Sequence, residues 1–271
     1  MAVRTLQPAA TQSATSDCAG GYASQGTATA APDLTVIIPV FNEVQTIAPV
    51  LQSVLAAPFH KQLIVVDDGS NDGTSEALQA WAGHGGVKIL VHAVNRGKGA
   101  AIRTALKHAR GRYTLIQDAD LEYDPQDYRK LLEPLLSGSA QVVYGSRNLE
   151  RHWTHGQRWN IYGLGVCALN LCLRFLYGVR LTDEATCYKV FPTEALHTMQ
   201  LQCERFEFCP EVTAKTIRLG LTIAEVPIRY VPRSVKAGKK IRWRDGLKAV
   251  ATLWRWRHWT PDVPGLDGLE S

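Results

Sequence analysis

No charge-free run of about 18 apolar residues occurs in the 271-residue chain, which excludes a conventional transmembrane helix. The nearest candidate, residues 161–179, carries Asn170 and Arg174 and reads as a packed helix. The start lacks a basic stretch followed by an apolar one, so no export signal is expected. Cysteine is sparse: Cys18, Cys167, Cys172, Cys187, Cys203 and Cys209 form no CxxC pair and no paired metal spacing. A chain long enough to build its own core needs no disulfide framework, so reduced thiols in a cytoplasmic protein are expected. No internal repeat is visible. Wholesale disorder is excluded by 45% hydrophobic against 20% charged residues. At roughly 100–200 residues per domain, the length suits one large domain with appendages.

What the chain has in excess is positive charge at one end. Residues 229–258 hold ten Lys and Arg and one acid, Asp245, a local charge of +9. The remainder holds 20 bases and 24 acids, so the overall +5 comes from the C-terminal segment alone. Such asymmetry points to an anionic surface or substrate at that end.

Residues 1–32 are mostly Ala, Thr, Ser, Gly and Gln and are expected to form a disordered tail. From Asp33 short apolar strands (34–40, 63–66, 87–91, 113–117, 141–144) alternate with amphipathic helices (44–57, 74–82, 97–109, 125–136). This alternation predicts an α/β domain with a mostly parallel sheet covered by helices on both faces. Further on, the pattern predicts a helix over 161–177, a loop at 182–187, a strand at 188–191, a helix at 207–219 and a strand at 222–230. Ligands of such sheets bind beyond the carboxyl ends of the strands. The polar clusters Asn42-Glu43, Asp67-Asp68-Gly69-Ser70, Asp118-Ala119-Asp120 and Gly145-Ser146-Arg147 all fall there.

Asp118 and Asp120, two apart on extended backbone, project to the same side and suit Mg²⁺ or Mn²⁺, with Glu122 a further ligand if the chain stays extended. An isolated Asp-x-Asp is more often a solvated acidic turn; its place after a buried strand favours the metal. Residues 67–74 read equally as a capped turn or as a loop accepting hydrogen bonds from a base or ribose. Asn95-Arg96-Gly97-Lys98-Gly99 places two cations and backbone amides at a helix start, an anion-binding position without P-loop spacing.

Together with Val36-Ile37-Ile38-Pro39-Val40-Phe41-Asn42-Glu43, these motifs in this order resemble the inverting glycosyltransferases of family 2, over roughly residues 33–258. Within the family the likeness is to dolichyl-phosphate mannose synthase and its polyprenyl-phosphate relatives. The resemblance implies a Rossmann-like GT-A fold, with Asp118 and Asp120 holding the metal on the diphosphate of a GDP- or UDP-hexose. It implies that Pro39, Phe41, Glu43 and Asp68 surround base and ribose, with Asn42, Asp67, Gly69, Lys98 and Ala119 in the same nucleotide-sugar site. Glu122 stands where such synthases often carry Gln. Arg147 would meet the acceptor phosphate, with Lys239 and Lys240 of the basic segment, and Asp183 would orient the sugar or cap its turn.

Residues 241–259 are expected to form an amphipathic helix, with Trp243, Leu247, Val250 and Trp254 on one stripe and Arg244, Lys248 and Arg255 on another. Tryptophan and arginine together suit a lipid headgroup boundary, although such a stripe also docks on a domain. No nucleic-acid-binding signature accompanies the basic residues. The expected organisation is a tail (1–32), a catalytic domain (33–232) and a basic loop, helix and tail (233–271). The expected activity is hexose transfer to a polyprenyl or dolichyl phosphate by a peripheral protein at the cytoplasmic membrane face. The alternatives are a soluble hydroxyl acceptor with Asp183 or Glu184 as base, and a noncatalytic nucleotide-binding module.

Overall fold

The computed structural model of the chain describes residues 3–5, 32–149, 161–233 and 243–262. Lys239 and Lys240 lie outside the described residues. In chain order the strands are β1 (Val3–Thr5), β2 (Leu34–Val40), β3 (Lys61–Asp67), β4 (Val87–His92), β5 (Tyr113–Ile116), β6 (Val142–Ser146), β7 (Lys189–Pro192) and β8 (Ile223–Pro227). The helices are α1 (Ile47–Ala56), α2 (Thr74–Gln79), α3 (Lys98–Leu106), α4 (Tyr128–Leu136), α5 (Ile161–Tyr177), α6 (Thr193–Thr198), α7 (Phe208–Arg218) and α8 (Trp243–Trp256). The strands form one sheet in the order β1-β4-β3-β2-β5-β7-β6-β8.

The β-branched runs of β2 and β3 are buried almost throughout, as a strand covered on both faces requires. The chain moves from β2 outward to β3 and β4, then crosses back to place β5 on the other side of β2. The β2–β5 boundary is therefore the topological switch point, where the carboxyl ends of a parallel sheet open a crevice. Pro39 belongs to this geometry. The β2–β5 register ends at Ile37 and Ile116, and Gln117 donates its backbone N–H to the Ile37 carbonyl. Pro39, two residues beyond Ile37, directs its missing N–H toward the side where that ladder has already stopped, so proline costs no sheet hydrogen bond.

Three features depart from the sequence reading. Val3–Thr5, inside the stretch expected to lack order, pairs antiparallel with β4 and covers what would otherwise be an open edge. β7 lies antiparallel between β5 and β6, so the sheet is mixed on that side. Helix α1 starts at Ile47 rather than residue 44, because the amides before it are engaged elsewhere. Asn42 N donates to Ser70 Oγ, Glu43 N to Thr74 Oγ1 and Val44 N to Asp72 Oδ2.

The C-terminal helix is part of the packed unit. α8 lies on α5 and α7, Leu253 is fully buried, and the Tyr177 hydroxyl donates to the Leu253 carbonyl at 2.6 Å. The docked face is Ala249, Leu253 and Trp256, not the stripe read from the sequence: Val250 is half-buried, while Leu247 and Trp254 are 63% and 56% exposed. The helix thus carries two apolar stripes, one facing the domain and one facing out. Among the described residues no helix is long and apolar enough to cross a membrane. Truncation of Leu253 to alanine should lower the stability of the whole domain by about 2–5 kcal/mol, read as a shift in the urea midpoint. An unchanged midpoint would mean that α8 contributes nothing to the core.

Candidate active site

The crevice between β2 and β5 is lined by the two loops that leave those strands. Each contains a non-glycine residue with positive φ, Asn42 at 51° and Leu121 at 61°, a conformation that costs energy and concentrates at functional sites. The loops are fastened to each other by Thr46, whose hydroxyl donates to the Ala119 carbonyl at 2.7 Å and lies 2.8 Å from Glu43 Oε2. Beneath Asp118, the Gln117 side chain accepts from both Tyr128 and Tyr188 hydroxyls at 2.7 Å and donates to the Asp118 carbonyl. This buried network fixes where the acidic pair leaves β5.

Both acids face cations. Lys98 Nζ lies 2.5 Å from Asp118 Oδ1 and 3.1 Å from Cys187 Sγ. Arg233 forms a fork on Glu43, with Nη2 at 2.9 Å and Nη1 at 3.0 Å, and Nη2 also lies 3.2 Å from Asp120 Oδ2. Burial works to raise the Asp118 carboxyl, but Lys98 and its hydrogen bond outweigh it and hold the group below the usual carboxylate range. Burial likewise works to lower Lys98, and Asp118 carries it well above its ordinary value. The pair is ionised at neutral pH.

On the far side of β5, Arg147 follows β6 and grips Asp183 by Nε and Nη2, both at 2.7 Å, and by its backbone N at 3.0 Å. Asp183 is fully buried. Its loop is clamped in turn by Glu225 of β8, which accepts from the Thr182 and Asp183 amides.

A model of the family described as Glycosyl transferase family 2 matches residues 35–175. The chain belongs to that family. It is 29% identical to an undecaprenyl-phosphate mannosyltransferase of Micrococcus luteus, over 81% of this chain and 92% of that protein. It is 27% identical to a dodecaprenyl-phosphate galacturonate synthase of Rhizobium johnstonii, over 68% of this chain and 55% of that protein. Among the curated relatives it matches, the chain spans about half the length of one and nine-tenths of another. Its fold is similar to that of glucosyl-3-phosphoglycerate synthase from Mycobacterium tuberculosis, a crystal structure in complex with Mn²⁺, UDP and glucosyl-3-phosphoglycerate. That likeness has a TM-score of 0.63 at 21% identity and covers 85% of this chain and 82% of that one.

For this family 2 glycosyltransferase the donor set fits a hard divalent ion. Asp118 and Asp120 offer carboxylate oxygens at one strand end, where two cationic nitrogens already stand against them. An ion held by two carboxylates completes its shell with substrate phosphates and water. Glu122, expected as a third ligand, is used otherwise. Its Oε1 accepts from the Arg233 amide at 2.7 Å and its Oε2 from the Tyr230 hydroxyl at 2.9 Å. Among the described residues no three His, Cys, Asp or Glu side chains group to hold a metal.

The Asp67–Thr74 and Asn95–Gly99 loops also serve each other. Asp67 accepts from the Ser70 amide and the Ser75 hydroxyl, and Asp72 from the Thr74 amide and hydroxyl. Asp68, buried, accepts from Arg96 N at 3.0 Å and Gly97 N at 2.6 Å and faces His92 Nδ1 at 2.6 Å. The amides of Gly99 and Ala100 donate to the Arg205 and Glu204 carbonyls. At the start of α3, expected to offer its amides to an anion, those of Arg96, Gly97, Gly99 and Ala100 thus go to the protein, while the Lys98 side chain reaches Asp118. Close approach demands glycine here: a Cβ on Gly97, at φ 98°, would stand 2.4 Å from the Glu204 carbonyl. Gly69, at φ 73°, would bring a Cβ to 2.7 Å from the Val94 backbone.

Sequence reasoning passed over Arg233, Thr46 and Glu225. The signal for Arg233 was its place at the head of the basic segment; Thr46 and Glu225 carry no motif. Glu184 beside Asp183 is fully buried, with Oε2 unpartnered and Oε1 accepting from Thr213. Burial raises its carboxyl above the ordinary 4.5, and Lys189 offsets this only in part. The folded state thus binds this proton more tightly than the unfolded chain. Its stabilising contribution is full below pH 4.5 and is lost as pH rises through the folded value. Glu184→Gln should remove that loss, so in urea titrations its stability relative to the wild type should rise as pH is raised above 4.5. Parallel pH slopes for the two proteins would contradict it.

Proposed function

We propose that the chain transfers a hexose from a nucleotide sugar of the GDP-mannose or UDP-glucose type to a polyprenyl phosphate, with inversion, as a peripheral protein on the cytoplasmic face of a membrane. The observation that carries the acceptor class is the state of the two acids available as bases. Asp183 is fully buried with both oxygens taken by Arg147, and Glu184 is fully buried behind it. A hydroxyl acceptor needs an accessible base; a phosphate is ionised already and needs none. The polyprenyl-phosphate enzymes among the relatives, from Micrococcus and Rhizobium, support the same choice.

In this reading Asp118 and Asp120 would hold Mg²⁺ or Mn²⁺, and the ion would supply charge neutralisation for the leaving diphosphate. Lys98 adds a fixed positive charge beside it. Asp183 holds the Arg147 guanidinium in place along one edge, and the Tyr230 ring, centred 4.9 Å away, supports one of its faces. Arg147 then orients the acceptor phosphate for attack on the anomeric carbon. Residues 33–232 would supply this machinery and the basic segment after them the contact with lipid. The outward stripe of α8 suits that contact, since exposed Trp254 stacks with Arg257 at 3.9 Å. Neighbouring α5 leaves Phe175 80% exposed.

A panel of radiolabelled nucleotide sugars, incubated with polyprenyl phosphate and partitioned between butanol and water, should place label in the organic phase for one donor. Label confined to water would exclude a lipid product. Asp118→Ala and Asp120→Ala should each cut transfer at least about a hundredfold with folding retained, and full activity in both would refute the metal role. For the membrane contact, the surface pair Leu247→Asp with Trp254→Glu should reduce flotation with anionic phospholipid vesicles while the thermal midpoint holds. Equal flotation would place the contact elsewhere.

A further inference from the structure

We infer that Arg233 is a resident counter-ion of the metal position, holding Asp120 and yielding it when a divalent ion arrives with its nucleotide. The inference rests on the metal reading of Asp118 and Asp120 given above and adds to it a residue that controls when the ion binds.

Arg233 is anchored apart from Asp120. Its guanidinium fork sits on Glu43, its backbone amide on Glu122 Oε1, and the amide of Val231, two residues before it, on the Glu122 carbonyl at 2.9 Å. The contact of Nη2 with Asp120 Oδ2, at 3.2 Å, is longer than either arm of the fork. Loss of that contact leaves the rest of the attachment intact. Asp120 and Arg233 are each 21% exposed, so a hydrated ion reaches the carboxylate from solvent. Arginine does not shed its proton in proteins, so Asp120 is released only by displacement, at any ordinary pH.

Charge gives the sign. Among the described residues Lys98 and Arg233 are the cations in ion pairs with Glu43, Asp118 and Asp120. Without Arg233 the set is one unit more negative and attracts a divalent cation more strongly. A bare ion must therefore displace a positive charge and then share the site with it. A nucleoside diphosphate changes this balance, because its phosphates offer the displaced guanidinium arm a new anionic partner. Ion and nucleotide consequently bind with positive coupling, and Arg233 is a positioning residue through which the coupling runs.

Mn²⁺ binding followed by electron paramagnetic resonance of the free ion tests this without turnover. The wild type, Arg233→Gln and Arg233→Lys are compared with Mn²⁺ alone and with added UDP or GDP. Arg233→Gln should bind Mn²⁺ alone about fivefold more tightly than the wild type, as expected for loss of one partly screened charge. It should also gain less from nucleotide, whereas Arg233→Lys should stay near the wild type. Mn²⁺ affinity in Arg233→Gln equal to or weaker than wild type, with an unchanged circular dichroism spectrum, would overturn the inference alone. Absence of Mn²⁺ binding in all three proteins with either nucleotide would overturn the metal reading and this inference with it. Should Arg233→Gln fail to fold, Glu43→Gln provides the opposite test. It removes the competing carboxylate, strengthens the hold of Arg233 on Asp120, and should weaken binding of Mn²⁺ alone; unchanged or tighter binding would overturn the inference.

Discussion

Negative charge gathered at the carboxyl edge of one sheet is the constraint around which this molecule is organised. Glu43, Asp67, Asp68, Asp183 and Glu184 are buried there, with Asp118 and Asp120 half-buried beside them. Carboxylates taken out of water need donors or cations, and a single unpaired one costs several kcal/mol. The partners come from distant parts of the chain: Lys98 for Asp118, Arg233 for Glu43 and Asp120, Arg147 for Asp183, and the Arg96 and Gly97 amides for Asp68. The groups proposed to meet phosphates and metal thereby also fix the loops of the site. Removing a partner exposes a buried charge, so most single substitutions in the cleft act on architecture and chemistry at once.

The parts of this arrangement written in short stretches were readable from the sequence. Five apolar strands and the polar residues at their ends stand close to where periodicity puts them, because a doubly covered strand must be apolar and its end is the first place polarity is tolerated. The boundaries shift where side chains from elsewhere intervene, as at residues 42–46, whose amides are taken by Ser70, Asp72 and Thr74. Hidden altogether were the antiparallel course of β7 and the pairing of Val3–Thr5 with β4, since both depend on what an edge or a gap in the sheet offers. Roles set by partners were hidden as well. Glu122 looks like a ligand two residues beyond Asp120, yet the Tyr230 hydroxyl and the Arg233 amide take both its oxygens. No local pattern reports an interaction across more than a hundred residues.

Helix α8 illustrates the same limit. Its sequence carries apolar residues at two offsets, and helical spacing alone does not say which stripe faces the domain. Packing resolves it: Ala249 and Leu253 are buried where α8 lies on α5 and α7, with Trp256 packed beside them, while Leu247 and Trp254 remain outside. Lys215, buried in α7, lies 3.9 Å from the ring centre of Trp256, so one of the helix's indoles covers a charge already paired with Glu211.

The two sides of the cleft also differ in how firmly their acids are held. Asp118 and Asp120 each keep about a fifth of their side-chain surface in solvent, and each faces a cation on a long, flexible side chain. Asp183 has none, and its partner grips it from two side-chain nitrogens and a backbone amide. Acids of the first kind can exchange partners; one of the second kind serves only to hold its arginine still. The transferase proposed above, which would admit and release a metal-bound diphosphate at one end while presenting an unchanging guanidinium to an ionised acceptor at the other, would make use of that asymmetry. Rigidity and exchange are thus assigned by burial to opposite sides of β5.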